Sequence, residues 1–157
     1  MSTILARHAD TLPQWRWLAA RGWKIEIARP TDRIKGTAAC DRLGRRIIVK
    51  NAAVLARPSA RVRRYVLVHE LAHAVHAEAL GYDTVALRPR KLNWMAAIEV
   101  VADAYCLKGD RSSTMRAWVR ASVLWHGRIG VRYRWADVVS PEARKIAAVL
   151  VAVTVNG

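Results

Sequence analysis

Phenylalanine is missing from this 157-residue chain, and cysteine occurs only twice, at Cys40 and Cys106, neither with a CxxC partner. Two isolated cysteines exclude a disulfide framework and are expected to be reduced thiols in a cytoplasmic protein. Cys106 falls on an apolar helical stretch, where a small buried hydrophobe is its ordinary role. Long apolar runs are lacking too. The longest, Ile146 to Val153, falls well short of the ~20 residues that a membrane helix needs. No unbroken apolar stretch follows the first basic residue, so no signal peptide is expected. Repeats, low-complexity tracts and Gly/Ser linkers are also missing, and the length suits one domain over residues 1–157.

Acidic residues are scarce: 12 Asp and Glu stand against 27 Lys and Arg, a formal charge of +15. Such a balance favours acidic partners, nucleic acid among them, although a solvated Arg-rich surface would account for it equally. What is plentiful is apolar material, 53% of the chain, with seven Trp and four Tyr to supply bulky core pieces in place of Phe. That content excludes a disordered chain.

The first half reads as a small antiparallel sheet behind one helix. A helix is predicted from about Asp10 to Arg21, with Gly22 closing it. Residues 23–28 alternate apolar and polar with period two, the pattern of a half-buried strand. Residues 37–40 and 46–50 bracket Asp41-Arg42-Leu43-Gly44-Arg45 as a hairpin, with Gly44 available for a positive φ. The second half reads as helices. The first starts at Pro58-Ser59, runs to about Leu80 and stops at Gly81. A second covers Asn93 to Lys108, a third Ser112 to about Trp125, and a last one opens at Ser140-Pro141-Glu142. The predicted class is α+β, a small antiparallel sheet followed by packed helices.

Chemistry concentrates in His69-Glu70-Leu71-Ala72-His73, inside the strongest predicted helix. Residues four apart on an α-helix lie within about 40° of each other, one turn apart. His69 and His73 are therefore placed to grip one metal ion, and imidazole suits zinc. Glu70 sits about 100° further round, beside the ligands, where it can take a proton from a water polarised by the metal. By chance, HExxH would arise in a chain of this composition with a probability of about 0.5%.

A catalytic zinc takes a third protein ligand. His76 shares the face of His73, but three consecutive turns of one straight helix cannot easily wrap a tetrahedral ion, so it is expected beside the site or at the surface. The next helix carries Glu99 and Asp103, four apart on one face and flanked by Met95, Ile98, Val100, Val101 and Ala102. Two carboxylates on so apolar a helix are hard to read as solvated charges. One is expected to ligate and the other to accept an imidazole N–H and set its tautomer; ion pairs with the plentiful arginines are the alternative.

His69 to His73 followed by Glu99-x-x-Ala102-Asp103 resembles the gluzincin arrangement, in which a Glu on a following helix completes a zinc site. Within that group, the short preceding sheet and Ala102-Asp103-Ala104-Tyr105 are most similar to the ImmA/IrrE family of metallopeptidases, over about Arg46 to Lys108. The resemblance implies a zincin-like fold with the motif on a central helix. It implies one zinc per chain on His69, His73 and Glu99, with Glu70 as the base and Asp103 in support. It also implies an intracellular protein substrate, a regulator or repressor. Some gluzincins add a downstream His or Tyr that stabilises the oxyanion, and His126 and Tyr133 are available.

Two other functions compete with an endopeptidase. A SprT-like protease acting on DNA-bound proteins would use the positive charge, but the later HxxxH that supplies its third His is absent. A basic nucleic-acid-binding module without catalysis would use Trp125 to Trp135, where aromatics interleave with arginines; an amphipathic strand pair or loop would explain the same pattern.

Overall fold

The computed structural model describes residues 12–51 and 60–156. Helix α1 (Pro13–Ala19) leads to strand β1 (Lys24–Ile27), β2 (Ala38–Asp41) and β3 (Arg46–Val49). Helix α2 (Ala60–Leu80), a 3-10 turn (Val85–Arg90), α3 (Trp94–Gly109), α4 (Ser113–Arg128), the short α5 (Trp135–Val138) and α6 (Pro141–Asn156) follow. The class is α+β and mostly helical. Among the described residues, no helix is long and apolar enough to cross a membrane.

Local signals position the helix ends. Pro13 occupies the first turn of α1, and its exit is closed by Gly22 at φ +87°, with Gly22 N donating to Ala19 O and Trp23 N to Leu18 O. Asn93 caps α3 by accepting from Ala96 N at 2.9 Å, and Ser112 caps α4 by accepting from Met115 N at 3.1 Å. Ser140 Oγ accepts from Ala143 N at the start of α6. Asp10, Pro58 and Ser59, named above as helix starts, lie outside the described residues. Helix α4 runs to Arg128 rather than stopping near Trp125, so the interleaved segment to Trp135 is a helix end, a loop and the start of α5, not a strand pair.

The sheet corrects one expectation. Its order is β1-β3-β2; β2 and β3 form the antiparallel hairpin, but β1 pairs with β3 in parallel, Lys24 opposite Arg46 and Ile27 opposite Val49. The connection after β1 carries the chain across, so that β2 runs back along the far side of β3. Arg46 pins this crossover. Its guanidinium lies 3.2 Å from Glu26 on β1, 2.9 Å from Asp32 in the connection and 3.1 Å from Asp41 on β2. Gly44 does not supply the positive φ of the hairpin; Arg45 does, at +49°. Glycine is needed there because a Cβ would stand 2.5 Å from the Asp41 carboxylate, which accepts from Gly44 N.

The core lies where α3 packs between α2 and α6, with α1 and the sheet closing over α2. Leu18, Ile47, Leu67, Leu71, Val100, Val101 and Leu150 are fully buried. Glu78 docks the sheet to α2: its Oε1 accepts from Trp23 Nε1 at 2.9 Å and from Arg45 Nε at 2.7 Å. Tryptophan replaces Phe only in part. Trp15, Trp17 and Trp23 are buried, whereas Trp94 is 59% exposed. Both cysteines are free, with Cys106 in the core and Cys40 half-buried on β2.

Candidate metal centre

Helix α2 places His69 and His73 one turn apart, ring centroids 4.8 Å from each other and nearly perpendicular. Both rings are about nine-tenths buried or more, because Leu67, Leu71, Ala72 and Val75 seat this part of the helix in the core. Helix α3, reached through the Gly81 turn and the 3-10 turn, packs on α2 and brings Glu99 against them. Glu99 Oε2 is 3.0 Å from His69 Nε2, and Oε1 is 3.1 Å from His73 Nε2. One ligand atom from each of His69, His73 and Glu99 lies within 4.8 Å of the other two, the compass of a single ion's donor set.

Asp103, one turn along α3, sits behind this group and is fully buried. Its Oδ1 is 3.0 Å from His69 Nδ1. Ser122 Oγ donates to it at 3.0 Å, Tyr133 OH at 2.6 Å and Tyr65 OH at 3.3 Å. These partners reach one carboxylate from α2, α4 and the loop after α4, so Asp103 organises the floor of the site. His126, on α4, enters from the side. Its Nε2 is 3.0 Å from Glu99 Oε2, its ring stacks on His69, and its Nδ1 is 2.8 Å from the Ser122 carbonyl.

The donor chemistry fits a cation. His69 turns Nδ1 to Asp103 and Nε2 to Glu99, both carboxylates, whereas a neutral imidazole carries a single N–H. One of its nitrogens would oppose a carboxylate with a lone pair unless a second proton or a metal ion intervenes. Electrostatics agree with that demand. Burial by itself raises the Glu99 carboxyl, but His73, His126 and His69 outweigh it and hold the group well below the usual carboxylate range. Burial pulls His69 down, yet Tyr65, Asp103, Cys106 and Glu99 more than reverse it, and the imidazole stands well above its ordinary value. His126 is likewise raised, burial being overcome by Glu99.

Glu70 lies beside these ligands on α2. Burial pushes its carboxyl above the usual value, with the neighbouring His73 and His69 acting in the opposite direction. A desolvated carboxylate of that kind is the better proton acceptor. Strand β2, one edge of the sheet, packs on the same helix, and its Cys40 Sγ lies 3.8 Å from the Tyr82 hydroxyl.

His76 and Glu78 stand apart from the cluster. His76 is fully buried, with Nε2 donating to the Asp83 carbonyl at 2.8 Å, so it ties down the loop after α2 instead of reaching a surface. Tyr133, offered above beside His126, points its hydroxyl to Asp103 and not towards the open side. Ser122 and Tyr65 were not anticipated. A signal for Ser122 does exist in the chain: Met115, Val119, Ser122 and His126 form the buried stripe of α4, and two polar residues on such a stripe need polar partners. No family model matches the chain, and no curated protein or solved structure is significantly similar to it.

Proposed function

We propose that the chain is a zinc-dependent endopeptidase with a zincin-like site of the gluzincin type, similar to the ImmA/IrrE family. The observation that carries this reading is the convergence of His69, His73 and Glu99 within 4.8 Å of one another, from two helices, with Glu70 half-buried beside them on the same helix as the histidines. His69, His73 and Glu99 would hold the ion, one per chain. Zinc in such a setting supplies a Lewis acid that polarises a carbonyl and makes water a nucleophile near neutral pH.

The chain's own residues do the rest. Asp103 keeps the proton of His69 on Nδ1 and so leaves Nε2 as the ligating atom. Glu70 takes a proton from the attacking water and returns it to the leaving amine. His126, raised by Glu99 towards its imidazolium form and donating Nδ1–H to the Ser122 carbonyl, would use its Nε2–H to stabilise the charge that develops on the reacting carbonyl. The substrate is an extended peptide or protein segment. Strand β2 supports this part, because it is one of the sheet's two edge strands and packs against α2, the helix that carries Glu70.

The segment from Trp125 to Trp135 favours the peptidase over a nucleic-acid module. Two of its rings, His126 and Tyr133, are buried in the metal centre and offer no face for base stacking.

A broad mixture of peptides takes the place of a single substrate in the test. The purified chain, zinc-loaded and with zinc content measured by elemental mass spectrometry, is incubated with a peptide library digested from a bacterial lysate. New termini are read by mass spectrometry beside Glu70→Gln. Cleavage by the parent chain and none by a zinc-retaining Glu70→Gln supports the reading. Zinc binding without any cleavage, or cleavage by Glu70→Gln, overturns it.

A further inference from the structure

A second concavity lies along α3 beyond Asp103, away from the histidines. Its volume is about 320 Å³, at the small end of ligand pockets. Four cations line it: Lys108 from the last turn of α3, Arg111 from the following connection, Arg116 from α4 and Arg144 from α6. All four are exposed, and the lining contains no carboxylate. Like charges brought together from separate elements repel one another and leave an electropositive hollow, a field that an anion relieves. The floor has a different character. Ala104, Leu107 and Val139 are buried or half-buried, and the half-buried indole of Trp135 stands among them. Arg120 lies over that ring at 4.0 Å from its centroid, which holds the indole in place and adds a fifth cation nearby.

A bare inorganic anion would use the rim and leave the floor uncovered. A lipid or an acyl chain would use the floor but has no need of a flat aromatic wall. A ligand with a planar apolar body and a compact multiple negative charge uses both, and arginine is the side chain best matched to phosphate oxygens. We infer that this cavity binds a nucleoside polyphosphate, its base over the apolar floor beside Trp135 and its phosphates on Arg111, Arg116, Arg144 and Lys108. The inference stands independently of the peptidase reading, since none of these residues belongs to the metal centre.

The experiment is isothermal titration of the full chain with ATP, tripolyphosphate and adenosine, beside Arg116→Glu, Arg144→Glu and, as a control outside the cavity, Arg132→Glu. All three positions are exposed, and circular dichroism checks that each variant is folded. ATP is expected to bind more tightly than either fragment, and each cavity variant to weaken it by roughly tenfold or more while Arg132→Glu does not. The inference is overturned by any of four outcomes. These are no ATP binding, equal affinity for tripolyphosphate and ATP, an ATP affinity indifferent to the cavity charges, or a short DNA duplex that binds tighter than ATP through the same arginines.

Discussion

His126 Nε2 and Glu99 Oε2 lie 3.0 Å apart although they are 27 positions apart in the sequence, because α4 packs against α3. The contact adds a third imidazole to a carboxylate already flanked by His69 and His73. Because Nδ1 of His126 is occupied by the Ser122 carbonyl, only Nε2 is left to act on the site. Replacing His126 with Gln is expected to leave zinc near one per chain and to lower kcat by about 10²-fold, the usual loss for a removed oxyanion donor. Zinc stoichiometry and turnover measured on the same preparation separate this role from ligation.

Glu99→Ala removes one of the three proposed ligands and is expected to abolish stable zinc binding. In the parent chain, zinc at 100 times its dissociation constant should stabilise the fold by about 2.7 kcal/mol. Chelation should therefore lower the melting temperature of the parent and leave that of Glu99→Ala unmoved, as followed by calorimetry.

Asp103→Ala strips the acceptor from His69, Ser122, Tyr133 and Tyr65 at once. Leaving buried polar partners uncompensated costs about 3–5 kcal/mol, to be read from urea unfolding. Asp103→Glu or Asp103→Asn, which keep more of the volume, are expected to fold and to weaken zinc by roughly 10- to 100-fold through the loose His69 tautomer.

Acid should loosen the sheet. Asp32 and Asp41 are held below the usual carboxylate value, Asp32 chiefly by its hydrogen bond to Arg46 and Asp41 chiefly by the Gly44 amide, with Arg46 contributing. Glu78 is also lowered, burial being outweighed by Arg45 and Trp23. A carboxyl depressed in the folded state takes up its proton more readily when unfolded. Its stabilising contribution is thus complete above the unfolded value and lost as pH falls through about 4 towards the folded one. Unfolding by urea between pH 7 and pH 3 should show that decline, and Arg46→Met should be less stable at neutral pH with a shallower dependence on pH.

Gly22→Ala tests the closure of α1. No atom stands within 4 Å of the added Cβ, but φ is +87°, so the cost is conformational and is expected at about 1 kcal/mol. A neutral result in thermal unfolding would mean that the turn relaxes.

What could be read from residue order was what depends on neighbours along the chain. A helical period of 3.6 puts His69 and His73 on one face whatever lies around them, and it puts Glu99 one turn from Asp103 on another. The caps at Asn93, Ser112 and Ser140 act within three residues, which is why those starts could be placed from their side chains alone. The hairpin of β2 and β3 belongs to the same class, though the reason for Gly44 does not: that depends on where the Asp41 carboxylate is drawn by Arg46.

Tertiary structure decided the rest. The parallel pairing of β1 with β3 has no local signature, because strand direction across a sheet is set by the path of the connection and by the convergence of Glu26, Asp32 and Asp41 on Arg46. His126, Ser122, Tyr133 and Tyr65 reach the candidate metal site through helix packing, where no sequence period relates one element to the next. His76, expected beside the site or at the surface, is instead fully buried, and packing sets its Nε2 on the Asp83 carbonyl. By itself the sequence determined which polar side chains share a helical face, since helical spacing is a local property. Which partners surround them was decided only by the packing of α3 and α4 on α2, since contacts between distant segments are the outcome of burying one common core.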